Sequence, residues 1–515
     1  MSIRLEDQFK RLKEKVLEKR PILREIIVKR GAKSLYDYAK EYISVNLNPP
    51  IRQRQDELIS TVEAEVMRLL GKKIAREAAV QLEHYYYVST ADHNGPLCHP
   101  FFINSNLLTA APFFEHSDPL LNNVIVLSCG SVSLNNSSYP RGLLFNTYTK
   151  GRIQTQKLSF FPAKDRLCPV FNYRPFGVED IERAKGALYQ MVESHDVHKE
   201  EASKIDSLLD EIYMRPDILA CESFSDQTTK SNFHLWKKFF GAKNIDEAPN
   251  LIYLEQESLV SKLIVAFHLY TDTTISHILF DHAYDPLMLN YFEGIMGAFD
   301  RKDNYGTYLF WGLPKGAKYR VQLWKQGDEL KSEDGSYRIQ LNPGAIKKAL
   351  EAKEIMPSMM LSHIVLSFYY GLKCLGGFSQ VNYLTLMKNA YIKMQVDRGN
   401  YRSIEVCARS QTKEMGGDFA FSFLGGPKGE LVPSTGLDLI MYGTDQTWSC
   451  LVEQSKQITL EEAIYPLMPE FYRIIYPETQ RDPELISLSA ENITSLLQLD
   501  KKMKACTYIN THEKG

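Results

Sequence analysis

The chain has 515 residues, 44% hydrophobic and 24% charged, with a formal net charge of −2. Such a length exceeds what one hydrophobic core usually holds, and the near-neutral balance excludes a dedicated nucleic-acid binder, which would carry a clear basic excess. The eight cysteines are dispersed and no C-x-x-C occurs, so the expectation is a cytoplasmic protein with reduced thiols.

Residues 1–84 read as helical. Leu58, Val62, Val66, Leu69, Leu70, Ile74 and Ala78 recur at helical steps and form one apolar stripe, with NLNPP at 46–50 as a break. The charged N-terminus does not have the form of a signal peptide, and no apolar run reaches the roughly 18 residues of a membrane span. The longest run, MMLSHIVLSFYYGL, reads as a buried core helix.

From Tyr85 the pattern becomes aromatic and β-branched. YYYVST predicts a strand, TADHNGPLCHP a loop, FFINSNLLTAAPFF a helix, and Val124–Leu127 a buried parallel strand. This βαβ order predicts an α/β fold with a Rossmann-like core at 85–225. KLSFFPA and PVFNYR are further strand candidates. The segments GVEDIERAKGALYQMVESH and EEASKIDSLLDEIYMR predict helices.

A second mixed α/β region is expected over 226–400. APNLIYLEQESLVSKLIVAFHLY gives a short strand and a helix, and Gly306–Leu341 gives hairpins with Gly-Asp and Asp-Gly turns. The stretch from Leu341 to about 394 reads as largely helical, broken at Gly376-Gly377. In the region 401–515, YRSIEVCARS and LDLIMYG are expected as strands, and FLGGPKGE as a flexible turn.

Four clusters could carry chemistry. The first is the loop after the first strand, where open α/β sheets place ligands. It supplies Asp92, His93 and His99, with Asn104 and Asn106 beyond. His93 is the expected general acid/base, because an imidazole titrates near neutrality. Asp92 would orient it or bind an amine, and His99 and Asn106 would position substrate. A metal held by His93 and His99 is the alternative, but a catalytic metal needs about three protein ligands and H-x5-H matches no common motif. Cys98 beside His99 is a weak nucleophile pair, since neighbours in extended chain point apart.

The second cluster is SCGSVSLNNSSYPRGLLF, with Cys129, Asn135, Asn136 and Arg141. Its amides and guanidinium suit an anionic or hydroxylated group. The third is CLGGFSQVNYL, where Gly376, Gly377, Gln380 and Tyr383 sit at an expected helix end. The fourth, His277, Asp281, His282 and Asp285, reads better as polar side chains at the surface or satisfied within the core. MGGDF at 415–419 lacks the acidic fifth residue of a nucleotide-cyclase signature and is read as no site. For the first three clusters the competing reading is a set of hydrogen-bonded turns without chemistry.

The order of these features resembles the cysteine-adding enzyme (cysteine ligase) family of bacillithiol biosynthesis. Gly95-Pro96 corresponds to the family's Gly-Pro after the first strand, Gly376-Gly377 to its Gly-Gly, and Tyr383 to its aromatic position. The family's Pro-x-Glu is Phe378-Ser379-Gln380 here, its Gln- and Gly-rich first loop carries Asp92, His93 and His99 instead, and no coiled-coil heptad run is present. The resemblance spans residues 55 to 390 loosely. It implies a Rossmann-like fold and a ligase or transferase joining an amino acid or related carboxylate to an amine-bearing acceptor. No ATP motif occurs, so an activated donor such as an aminoacyl-tRNA would be one source of energy. No cofactor is assigned by sequence. The expected partners are a small-molecule substrate and further copies of the chain. The alternatives are a metal-dependent hydrolase or lyase and a non-catalytic binding protein.

Overall fold

The computed structural model describes residues 2–44, 51–115, 118–241 and 248–509. The predicted break at 46–50 lies outside them. The protein is a mixed α/β structure built on a four-stranded parallel sheet. Its strands are β1 (Tyr87–Ser89), β2 (Asn123–Ser128), β3 (Asn250–Glu255) and β4 (Lys373–Leu375), in the spatial order β4-β1-β2-β3. Tyr87 pairs with Lys373, Ser89 with Val126, and Asn123 to Ser128 run in step with Asn250 to Glu255.

Alternate side chains feed two separate cores, which is why these strands read as continuous apolar runs. Tyr87, Val124, Val126, Leu251 and Tyr253 join one core. Tyr86, Val88, Ile125, Leu127, Ile252 and Leu254 join the other. The helices Pro100–Glu115 and Phe224–Lys238 cover the first face and carry the chain from β1 to β2 and from β2 to β3. The helix Gln256–Phe267 covers the second face on the way back to β4. The strand order therefore reverses where β1 and β4 lie side by side. The predicted N-terminal helices divide between the faces: those at 2–42 pack into the first core, those at 52–84 into the second.

Several expectations are corrected. Lys373–Leu375 is a strand rather than helix, because its three residues are buried beside β1 and exchange ladder bonds with it. The Gly-Gly break is thus a strand-to-helix turn. PVFNYR forms turns and no strand, and in KLSFFPA only the first residues belong to the strand Arg152–Ser159. YRSIEVCARS is helical over Tyr401–Arg409, started by Asn400, whose side chain accepts from Ser403 N. LDLIMYG lies in the helix Gly436–Tyr442, where Thr435 and Asp438 form a capping box. In FLGGPKGE, Phe423–Gly425 is a strand paired with Leu431–Pro433. Not every thiol is reduced: Cys450 and Cys506, with Cα atoms 5.7 Å apart, form a disulfide.

The run MMLSHIVLSFYYGL is a buried helix that widens into a π-helical turn over Ile364–Tyr369. The hairpins expected within 306–341 are present, with strands at 324–326, 329–331 and 338–340. Among the described residues, no helix is long and apolar enough to cross a membrane.

Candidate functional site

The loops after β1 and β2 meet, as their positions at adjacent strand ends require. They do so by prolonging the ladder: Asn94 N donates to Cys129 O at 2.9 Å and Cys129 N to Asp92 O at 2.8 Å. His93 and Cys129 form a parallel bridge beyond the ends of their strands. Tyr253 at the end of β3 donates its hydroxyl to His93 O at 2.9 Å. Asn232 clamps the Gly-Pro turn, accepting from Leu97 N at 2.9 Å and donating to Gly95 O at 3.0 Å. Gly95 is required there, since a Cβ would lie 2.8 Å from Pro140 Cα.

His93 is held by one nitrogen. Its Nδ1 lies 2.7 Å from Asn136 Oδ1 and 3.2 Å from Ser138 Oγ. Asn136 Oδ1 also accepts from Ser138 N at 3.0 Å, so it is an acceptor and Nδ1 carries the proton. Nε2 then presents a lone pair and has no partner among the described residues. Burial holds the imidazole below its ordinary range, opposed by the Asn136 bond, so the ring is neutral at pH 7. Its ring meets Phe102 edge-on, with centroids 5.3 Å apart.

Asp92 is fully buried. Its Oδ2 accepts from Asn106 Nδ2 at 2.8 Å, while among the described residues neither its Oδ1 nor Asn106 Oδ1 has a partner. Burial pushes the carboxyl up to about 7, against the hydrogen bond from Asn106. Cys129 lies 3.4 Å from Glu257 Oε1, and its thiol is pushed up to about 12 by burial and then by that carboxylate, so it is no nucleophile. Glu257 accepts from Gly130 N at 2.7 Å and Ser131 N at 3.1 Å, and burial, then the neighbouring Glu255, raise it to about 7.

The third cluster joins from the β4 side. Gln380 Nε2 donates to Thr90 Oγ1 at 2.5 Å. The loop 415–418, read as no site from sequence, closes over this corner. Gly416 N donates to Gly376 O at 2.9 Å, and Phe378 N at the start of the helix Phe378–Asp397 donates to Asp418 Oδ2 at 2.7 Å. Gly377 packs so tightly on Asp418 that a Cβ would collide with its carboxylate. Tyr383 lies in the same region, its ring 6.0 Å from that of His363. Its hydroxyl has no hydrogen-bond partner among the described residues.

Other expected site residues have different work. Asn104 accepts from Phe421 N and Ser422 N, both at 2.8 Å, and is a structural clamp. Asn135 is exposed. Arg141 rests 5.5 Å from the Tyr139 ring, and its Nε is buried without a partner. His99 packs against Phe101 and Phe102 and is pushed down to about 4, chiefly by burial. Among the described residues no three His, Cys, Asp or Glu side chains converge as a metal-ligand set, so the His93–His99 metal alternative has no third ligand. His277 and His282 form exposed pairs with Asp272, Asp285 and Asp328.

The large open space lies beside the zipped loops. A cleft of about 920 Å³ opens at the carboxyl end of β3, lined by Arg68, Ser225, Asp226, Glu255, Lys262 and Lys353 among others. Asp92, His93, Asn135 and Arg141 do not line it. Glu255 connects the two regions: it accepts from Asn94 at 3.1 Å and from Ser225 and Ser258 at 2.5 Å each. Glu255, Glu257, Asn232 and Tyr253 escaped the sequence reading, although the Glu-Gln-Glu ending the strand NLIYLEQE was a visible signal. Compared with known protein families and with curated proteins, the chain matches none.

Proposed function

We propose that the protein is an acid–base enzyme of the ligase or transferase type, joining a small activated carboxylate to an amine-bearing acceptor. Its Rossmann-like core would present the reacting groups at the carboxyl ends of β1 and β2. The observation that carries this proposal is His93: a neutral imidazole, anchored through Nδ1 by Asn136, with Nε2 left without a partner among the described residues. A general base needs that arrangement.

In the proposed step the amine nitrogen attacks the activated carbonyl carbon. The C–N bond forms and the bond to the leaving group breaks. His93 Nε2 takes the proton lost by the amine and returns it to the leaving group. Asp92, whose Oδ1 lacks a protein donor, would receive the amine, and the polar cleft past Glu255 would hold the rest of the acceptor.

The test is a mass-spectrometric screen for amide products. Purified protein is mixed with amino acids supplied as thioesters or aminoacyl-tRNA, and with a panel of amines. Product formed by the wild type and reduced at least 100-fold in His93→Ala supports the proposal. Absence of product across the panel, or full activity in His93→Ala, refutes it.

A further inference from the structure

Arg20 stands between the helices Ser2–Lys19 and Pro21–Arg30, and it is only 4% exposed. A buried guanidinium normally faces a carboxylate, because an uncompensated buried charge is costly. Arg20 faces none: it takes part in no ion pair among the described residues. Nη1 donates to Lys19 O at 2.9 Å, Nη2 meets only the thioether sulfur of Met296 at 3.4 Å, and Nε is buried without a partner. The fork that suits two oxygens of one anion is therefore met by a sulfur, a weak acceptor.

Met296 is itself 42% exposed. It sits between Gly294 and Gly297, both at φ +83°, a left-handed backbone that glycine adopts without strain. Gly297 rests on Tyr383, where a Cβ would come within 3.2 Å of the ring. The helix that carries Tyr383 also reaches Arg20's neighbour, since Ile22 N donates to Asn382 Oδ1 at 3.5 Å. The segment that carries Arg20 is thus tied, through Ile22, to the helix Phe378–Asp397.

We propose that Arg20 is the receptor for an oxyanion, a carboxylate or phosphate on a small molecule, and that Met296 is the movable cover over it. The bound anion would replace the sulfur at Nη2 and engage Nε, giving the bidentate pair that the fork is shaped for. The proposal does not depend on the reaction assigned to His93, because binding is read without turnover.

The experiment is thermal unfolding of the full chain in chloride buffer, with inorganic phosphate or acetate added at constant ionic strength. Wild type is expected to gain about 2 °C at saturating anion. Arg20→Met should lose that gain, and Met296→Ala should reach it at lower anion concentration. The stronger of the two anions identifies the ligand class. Should Arg20→Met fail to fold, phosphorus-31 line broadening of inorganic phosphate by wild type and Met296→Ala gives the same answer. No anion-dependent gain in wild type and Met296→Ala, or an equal gain in Arg20→Met, overturns the proposal.

Discussion

Replacing Asp92 with asparagine keeps the shape of the side chain and removes its charge. In the folded protein burial raises this carboxyl from the ordinary 3.8 to about 7. The folded state therefore binds a proton that the unfolded state releases above about pH 4. A group raised in this way contributes stability that is fully present below the unfolded value and is lost as pH rises through the folded one. Between pH 5 and pH 8 the loss amounts to about 2.5 kcal/mol. Glu257 titrates in the same window, and buried histidines such as His363, pushed down to about 4 in the folded protein, gain a proton near pH 6.5 only on unfolding, so the difference between variant and wild type is the informative quantity. Urea unfolding at intervals from pH 5 to 8 should show Asp92→Asn gaining about 2.5 kcal/mol relative to wild type as pH rises. A difference that is flat with pH, or that runs the other way, would refute the assignment of Asp92 as a buried carboxyl that protonates near neutrality.

Asn136→Asp places a carboxylate against His93 Nδ1, so the imidazole should titrate at higher pH than in wild type, as read by NMR of the ring. Unchanged titration would mean the Nδ1 contact is not made. Gly417→Ala puts a methyl 2.8 Å from Ala91 Cβ and should destabilise the corner over β1 and β4 by about 1–3 kcal/mol in urea unfolding, whereas a neutral result would place the loop elsewhere. Thiol titration of the oxidised, denatured chain should count six reactive cysteines out of eight. Reduction should lower stability by about 4 kcal/mol for the 56-residue separation of Cys450 and Cys506. A count of eight would remove the disulfide.

Local pattern made much of the fold legible. The apolar run at 124–127 and the amphipathic repeats before residue 84 have their expected structures, and the aromatic run from Tyr85 is a strand over Tyr87–Ser89, because each encodes one periodicity of burial. Several short segments take structures other than the expected ones. Lys373–Leu375 has only three residues, and what makes it a strand is pairing with β1, which lies nearly 290 positions earlier. Tyr401–Arg409 and Gly436–Tyr442 carry short apolar runs that fit either a strand or a helix, and the caps at Asn400 and Thr435 start them as helices.

For the site, residue types and loop positions sufficed to bring His93 and Asn136 forward as candidates, since both follow strands that had to be adjacent. Sequence could not tell that they bond each other, that Asn104 clamps residues 421 and 422, or that Asn135 points to solvent. Those outcomes depend on contacts with segments far away in the chain, such as residues 421 and 422 for Asn104. Which segments are buried and which polar loops end strands could be read from the amino acids alone, because hydrophobic periodicity is a local property. Folding alone brings those loops together beside the open cleft, sets Asp418 as the cap of the helix after Gly377, and buries Arg20 with no carboxylate partner among the described residues. Each of these is a meeting of residues distant in the chain, and burial, charge compensation and hydrogen-bond satisfaction are settled only by such meetings.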